Sequence, residues 1–132
     1  MNSLEFDRAG KTFVAVLGAK DASPKEWKRF ILALEDDLMT VHGLLIFSAG
    51  ASIDVQEREQ LEGVLTRGRL RVAVLTDSKD LRGAVTALSW FKIPIKSFSA
   101  NDVERALDHI RVEKTERARV YTALAQLKVA VL

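Results

Sequence analysis

The chain has 132 residues, the length of one ordinary domain, with 48% hydrophobic and 29% charged side chains. Its 20 Lys and Arg against 18 Asp and Glu leave a net charge of +2, too small an excess to make the whole surface positive. Cysteine is absent, which excludes disulfides and thiol chemistry and fits a reducing compartment. The N-terminus MNSLEFDRAG has no basic segment ahead of an apolar run, so no signal peptide is expected. No apolar run nears the ~20 residues that a membrane span needs. A cytoplasmic protein without a membrane span is the expectation.

Leu4 to Phe6 predicts a short strand, Asp7-Arg8-Ala9-Gly10 a turn, and Lys11 to Leu17 a second strand, so the chain opens on a hairpin. A helix follows, with Ser23 as cap, Pro24 at the first helical position and Glu26 in the first turn. Trp27, Phe30, Ile31, Leu34 and Leu38 recur on one face of it, and Gly43 stops it. Leu44 to Phe47 is wholly apolar, the mark of a strand covered on both faces. The loop SAGASID leads into a helix predicted over Val55 to Arg67, with Leu61, Val64 and Leu65 inward and Gly68 beyond it.

Arg69 to Thr76 predicts the next strand, and Asp77-Ser78-Lys79-Asp80 opens a helix to about Phe91, carrying Leu81, Val85, Leu88 and Trp90 or Phe91. Trp27, Phe30, Trp90 and Phe91 all fall on predicted helical faces and are read as core. Pro94 breaks the helix, Ile95 to Phe98 is a short last strand, and Ser99-Ala100-Asn101-Asp102 starts a helix with Val103, Ala106, Leu107 and Ile110. A terminal helix, TERARVYTALAQLKVAVL, spaces Val120, Leu124, Leu127 and Val131 three or four apart. That stripe must cover something, either the chain's own sheet or a second copy in a homodimer.

The order predicts a single α/β domain: an antiparallel hairpin, then strands alternating with helices in a sheet with parallel neighbours, then an extra C-terminal helix. Residues 1–112 form the α/β unit and 113–132 a helical extension of the same domain. The turns around Ile53 and Lys79 should share one rim of the sheet.

In this order the hairpin, the IDVQERE loop and helix, the RVAVLTD strand and the ending IPIKSFSANDVERALDHI resemble the STAS family, the sulfate-transporter and anti-sigma-factor-antagonist domain. The likeness is to its divergent stand-alone STAS/SEC14-like branch and covers roughly residues 3–112. The family's regulatory members carry an Asp-Ser-Ser-Gly segment whose second serine is phosphorylated by the anti-sigma kinase. Here Asp54, Val55, Gln56 and Glu57 correspond to it, so an amide stands where the phosphoacceptor should be. Ser48 and Ser52 are hydroxyls off that position. Asp54 reads as a helix N-cap.

Other chemistry finds less support. A receiver domain needs carboxylates converging on magnesium beside an aspartate acceptor. After the first long strand there is only Lys20-Asp21, and Ser48 follows Ile46-Phe47; Ser78 or Asp80 in TDSKD reads as a cap. FSAGAS lacks the Gly-x-Ser-x-Gly spacing of a serine elbow. His42, near the end of the first helix, reads as complementing that helix C-terminus and His109 as a partly exposed residue of a later helix, and two histidines without cysteines leave no metal-ligand cluster of recognisable spacing. No phosphate-binding glycine loop occurs. KEWKR, RGRLR and RVEKTERAR are separate and diluted by acids, so nucleic acid is not an expected partner.

The resemblance implies a non-enzymatic regulatory domain, without cofactor or metal, that binds a protein partner. Its contact surface would be Ser48, Ser52, Asp54, Gln56, Glu57, Asp77 and Ser78, with the helix N-termini at Asp54 and Ser78 offering N–H groups to a carboxylate, phosphate or partner loop. The alternative is a carrier of a lipid or other small apolar ligand, its pocket lined by Leu88, Trp90, Phe91, Ile93 and Ile95.

Overall fold

A computed structural model describes residues 2–131; Met1 and Leu132, the outer ends of the two predicted ranges, lie outside the described residues. The elements run β1 (Leu4–Ala9), β2 (Thr12–Leu17), α1 (Pro24–Asp37), β3 (Gly43–Ser48), α2 (Val55–Leu65), β4 (Arg71–Leu75), α3 (Lys79–Ser89), β5 (Ile95–Phe98), α4 (Val103–His109) and α5 (Arg117–Val131), with a 3-10 turn at Lys114–Glu116 before α5. The strands form one sheet in sequential order, β1 antiparallel to β2 and the rest parallel. Because the order advances in one direction, right-handed crossovers deliver α1, α2 and α3 to the same face. The fold is the predicted α/β sheet.

The hairpin turns later than the sequence predicts. Asp7, Arg8 and Ala9 continue β1, Ala9 pairs with Thr12, and only Gly10 and Lys11 form the loop. Gly10 has φ +62, which suits the first central residue of a two-residue hairpin turn. The polar pair Asp7-Arg8 is tolerated in a strand because β1 is an edge and both residues are exposed.

Alternation along the strands splits the core in two. Phe13, Ala15 and Leu17 of β2, Leu44 and Ile46 of β3, and Val72 and Val74 of β4 meet the apolar faces of α1, α2 and α3. Val14, Val16, Leu45, Ala73 and Leu75 point the other way, against α4 and α5. Each large side chain so buried contributes on the order of 2 kcal/mol. In α1 these are Trp27, Phe30, Ile31 and Leu34, the predicted stripe. The terminal stripe Val120, Leu124, Leu127 and Val131 joins the second core, with α5 packed on β1 and β2. The face that a homodimer would have used is therefore covered within the chain.

Trp90 and Phe91 depart from the predicted core. The helix α3 ends at Ser89, and the N–H groups of Trp90 and Phe91 donate back to Ala87 and Leu88 in a tightened last turn. Lys92 then takes φ +62, turning the chain toward Pro94. Both rings leave the face of Leu81, Val85 and Leu88, and Trp90 is 76% exposed.

Candidate rim of the parallel strands

Parallel pairing brings Leu17 beside Ser48, and Leu75 beside both Phe47 and Phe98. The loops that leave β2, β3, β4 and β5 therefore share one rim, so the turns at Ile53 and Lys79 stand at the same end of the sheet as expected.

After β3 the chain folds onto the loop after β2. Ala49 N–H donates to Leu17 O at 2.9 Å, Ala51 N–H to Gly18 O at 3.0 Å, and Ser52 N–H to Asp21 Oδ1 at 2.9 Å. Ser48 is buried, its hydroxyl donating to Ala51 O at 2.6 Å and accepting from Gly50 N–H at 3.1 Å. A buried hydroxyl bonded in both senses holds the corner closed and is not presented to a partner.

Asp54 is the N-cap of α2, as the sequence predicts. Its Oδ1 accepts from Glu57 N–H at 2.8 Å, and Glu57 Oε1 accepts from Asp54 N–H at 2.9 Å, a complete capping box. Burial pushes the Glu57 carboxyl up; the bond from Asp54 N–H works the other way, and the charges of Asp54 and Asp21 add to the rise. Gln56 is exposed on the first turn of α2, beside exposed Val55.

The second corner is anchored by Thr76, which is fully buried and accepts from Ser78 N–H at 3.0 Å. Ser78 caps α3, its hydroxyl accepting from Leu81 N–H at 3.3 Å. Arg82 donates to Thr76 O at 3.2 Å and lies 3.9 Å from Asp77. Asp77 also accepts from Ala100 N–H at 3.2 Å, which ties this corner to the loop after β5.

The seven predicted residues thus divide. Asp54, Gln56 and Asp77 are exposed, Ser52, Glu57 and Ser78 are half-buried, and Ser48 is buried. The rim differs from a bare N–H surface: Ser23, Asp54 and Ser78 each take an N–H of the helix they cap, and its outer edge carries both signs, with exposed Asp21, Asp54 and Asp77 beside exposed Lys20, Lys25 and Lys79. Asp21 and Thr76 had no place in the predicted site. Asp21 falls where an ordinary loop aspartate would, and only strand pairing brings it against Ser52.

The histidines sit at the other end of the strands. His42 is exposed between α1 and β3, its N–H donating to Lys11 O at 2.7 Å. His109 closes α4; its Nε2 donates to Pro94 O at 3.2 Å, because a carbonyl can only accept. Its Nδ1, 3.4 Å from Arg71 Nη2, is then the acceptor. Burial first, and the Arg71 charge after it, hold His109 below the ordinary histidine range, against the bond to Pro94. Among the described residues no group of three or more His, Cys, Asp or Glu is arranged to hold a metal ion.

Between the sheet and α1–α3 lies an apolar cavity of about 20 Å³, lined by Leu17, Trp27, Leu61, Val85 and Leu88 among others. Trp27 Nε1 is buried without a partner. The volume suits about one water, whereas drug-sized ligands occupy roughly 300–1,000 Å³. Compared with protein-family models, curated proteins and solved structures, the chain matches none of them.

Proposed function

We propose that this chain is a cytoplasmic regulatory protein-interaction domain of STAS-like type, acting by binding and not by covalent chemistry. Its contact surface is the rim at the C-terminal ends of the parallel strands, centred on Asp54 and Asp77. The observation that carries this reading is preorganisation: four loops meet there, with Asp21 and Asp77 each bonding a backbone N–H of a neighbouring loop. Little ordering entropy is left to lose when a partner binds such a surface. With Asp21, Asp54 and Asp77 interleaved with Lys20, Lys25 and Lys79 at its edge, the fitting partner is a protein segment of mixed charge whose Lys or Arg side chains meet Asp54 and Asp77, in a contact sensitive to salt.

With Gln56 in place of a hydroxyl, partner choice rests on the unmodified rim. The carrier alternative draws no support from the apolar cavity between the sheet and α1–α3, which at about 20 Å³ is far below ligand size.

Affinity capture from the source organism's lysate tests the reading, comparing the native chain with Asp54→Asn/Asp77→Asn. Asparagine keeps the N-cap and the acceptor oxygen while removing the charge. Proteins retained by the native chain should fall about tenfold or more in the variant while its melting temperature is kept. Equal recovery by both would contradict the reading.

A further inference from the structure

A small polar pocket opens at the far end of the strands from the rim, between the starts of β2 and β3 and the link from α4 to α5. It has a volume of about 120 Å³ and is lined by Lys11, Thr12, Arg111, Glu113 and Glu116 among others. Val14 and Val16 of β2 face α4 and α5, and strand alternation turns Thr12 the same way, into the pocket. Thr12 is only 3% exposed, yet its hydroxyl has no hydrogen-bond partner among the described residues. Unlike Trp27 Nε1, which is sealed within the core, that hydroxyl opens into the pocket. A buried hydroxyl is costly unless bonded, and the partner that the protein does not supply must come from what enters.

The charges around Thr12 are of both signs and unpaired. Lys11, Arg111 and Glu113 are exposed and Glu116 is half-buried, and none of the four makes an ion pair among the described residues. A Cβ at Gly10 would stand 3.3 Å from both Glu116 carboxylate oxygens and 3.4 Å from Arg119 Nη1, which places that carboxylate over the hairpin turn next to Lys11. Arg111 sits in the turn that closes α4. Its N–H donates to Asp108 O at 3.1 Å and the Val112 N–H to Leu107 O at 3.0 Å, the paired bonds that end a helix around a left-handed residue. Glycine is the usual occupant of that position, and here Arg111 takes it with φ +58. A cation is kept beside the pocket against the backbone's preference.

We propose that this pocket binds the head group of a free α-amino acid, a ligand that carries an ammonium and a carboxylate together. A cavity of roughly 150 Å³ holds a benzene ring, so this one has room for about five non-hydrogen atoms, the size of an ammonium, a methine and a carboxylate. Lys11 and Arg111 take the carboxylate, Glu113 and Glu116 take the ammonium, and the Thr12 hydroxyl donates to a carboxylate oxygen. A simple anion would bring its charge beside the two glutamates, and a simple cation beside Lys11 and Arg111; only a ligand of both signs meets its opposite on each side. The side chain of the amino acid points to solvent, so the site reads the head group and tolerates variation beyond it. The length of the strands separates this pocket from the rim, and the proposal does not depend on the reading of that surface.

Titration followed by backbone amide chemical shifts tests the proposal, with glycine, L-alanine and L-serine as ligands and with propionate and ethylamine, which each lack one charge of alanine. At least one amino acid should give saturable shifts at residues 11–12, 42–43 and 110–113, with a dissociation constant on the order of millimolar, as a contact of so few atoms allows. Propionate and ethylamine should need about tenfold more to reach the same shift. Thr12→Val should bind about fivefold more weakly while its melting temperature is kept or raised, because the hydroxyl it loses has no partner in the protein. Arg111→Gly should also melt at or above the native temperature, since glycine suits the left-handed turn, yet lose binding by about fivefold. A merely structural role for either residue would not separate stability from binding in this way. No saturable shift at those residues with any of the three amino acids overturns the proposal. So does binding of propionate or ethylamine as tight as that of L-alanine, or native affinity in both variants.

Discussion

Asp21 holds the loop after β3 to the loop after β2: its Oδ1 accepts the Ser52 N–H at 2.9 Å across 31 residues of sequence. With Ala49 and Ala51 donating to Leu17 and Gly18, this bond makes two loops one surface. Asp21→Ala should destabilise the fold by about 1 kcal/mol and speed amide exchange at Ser52 and its neighbours. Asp21→Asn keeps an acceptor and should keep the slow exchange. Equal exchange in the alanine variant and the native chain would show that the loops are held by other means.

Two glutamates in capping boxes titrate in opposite directions. Burial works to raise the Glu26 carboxyl, but bonds from the N–H groups of Ser23, Ser3 and Leu4 and from the Ser23 hydroxyl together bring it below 4.5. A lowered folded value makes Glu26 stabilising above the unfolded value and removes that contribution as pH falls through the folded one. Glu26→Ala should cost about 2 kcal/mol near neutrality, read from denaturant midpoints, with the deficit shrinking in acid. Glu57 lies above 4.5, so its charge opposes folding at neutral pH and the opposition fades as pH falls through the raised folded value. Glu57→Gln keeps an acceptor for Asp54 N–H. It should melt at or slightly above the native temperature near neutrality, with the difference gone in acid.

His109 adds a second pH dependence. Its folded pKa lies below 6.5, so the neutral ring favours the fold above the unfolded value and that contribution is lost as pH falls through the folded one. Protonation also sets an imidazolium against Arg71. The native melting temperature should drop by a few degrees between about pH 7 and about pH 5, and His109→Gln should show a smaller drop. Thermal denaturation followed by circular dichroism at both pH values reads the difference.

Gly68 marks a close approach with no polar component. A Cβ there would stand 2.6 Å from Leu38 Cδ1 and 2.8 Å from Leu70 Cδ2, both on buried side chains. Gly68→Ala should cost about 1–3 kcal/mol by urea denaturation, whereas Gly63→Ala, where nothing lies within 4 Å, should stabilise α2.

The elements were legible because apolar spacing and punctuation agree. Ser23-Pro24, Asp54 and Ser78 start helices where the sequence predicts. Three features were hidden for physical reasons. The Asp7-Arg8 pair reads as a turn unless β1 is known to be an edge strand. Trp90 and Phe91 continue an apolar run, but α3 ends at Ser89 and Trp90 falls about 200° round the helix from Leu88, off the buried face. The bonds from Ser52 to Asp21 and from Ala100 to Asp77 depend on strand order, which local spacing does not encode. The identities of the two corners could be read, and their mutual clamp could not.

The most direct test of the rim as a contact surface is hydrogen–deuterium exchange on the complex with a captured partner. The account predicts slowed exchange over residues 49–57 and 77–82, with residues 66–70 at the far end unchanged. Protection confined to 66–70 or to the outer face of α5, with both corners exchanging as in the free chain, would contradict it.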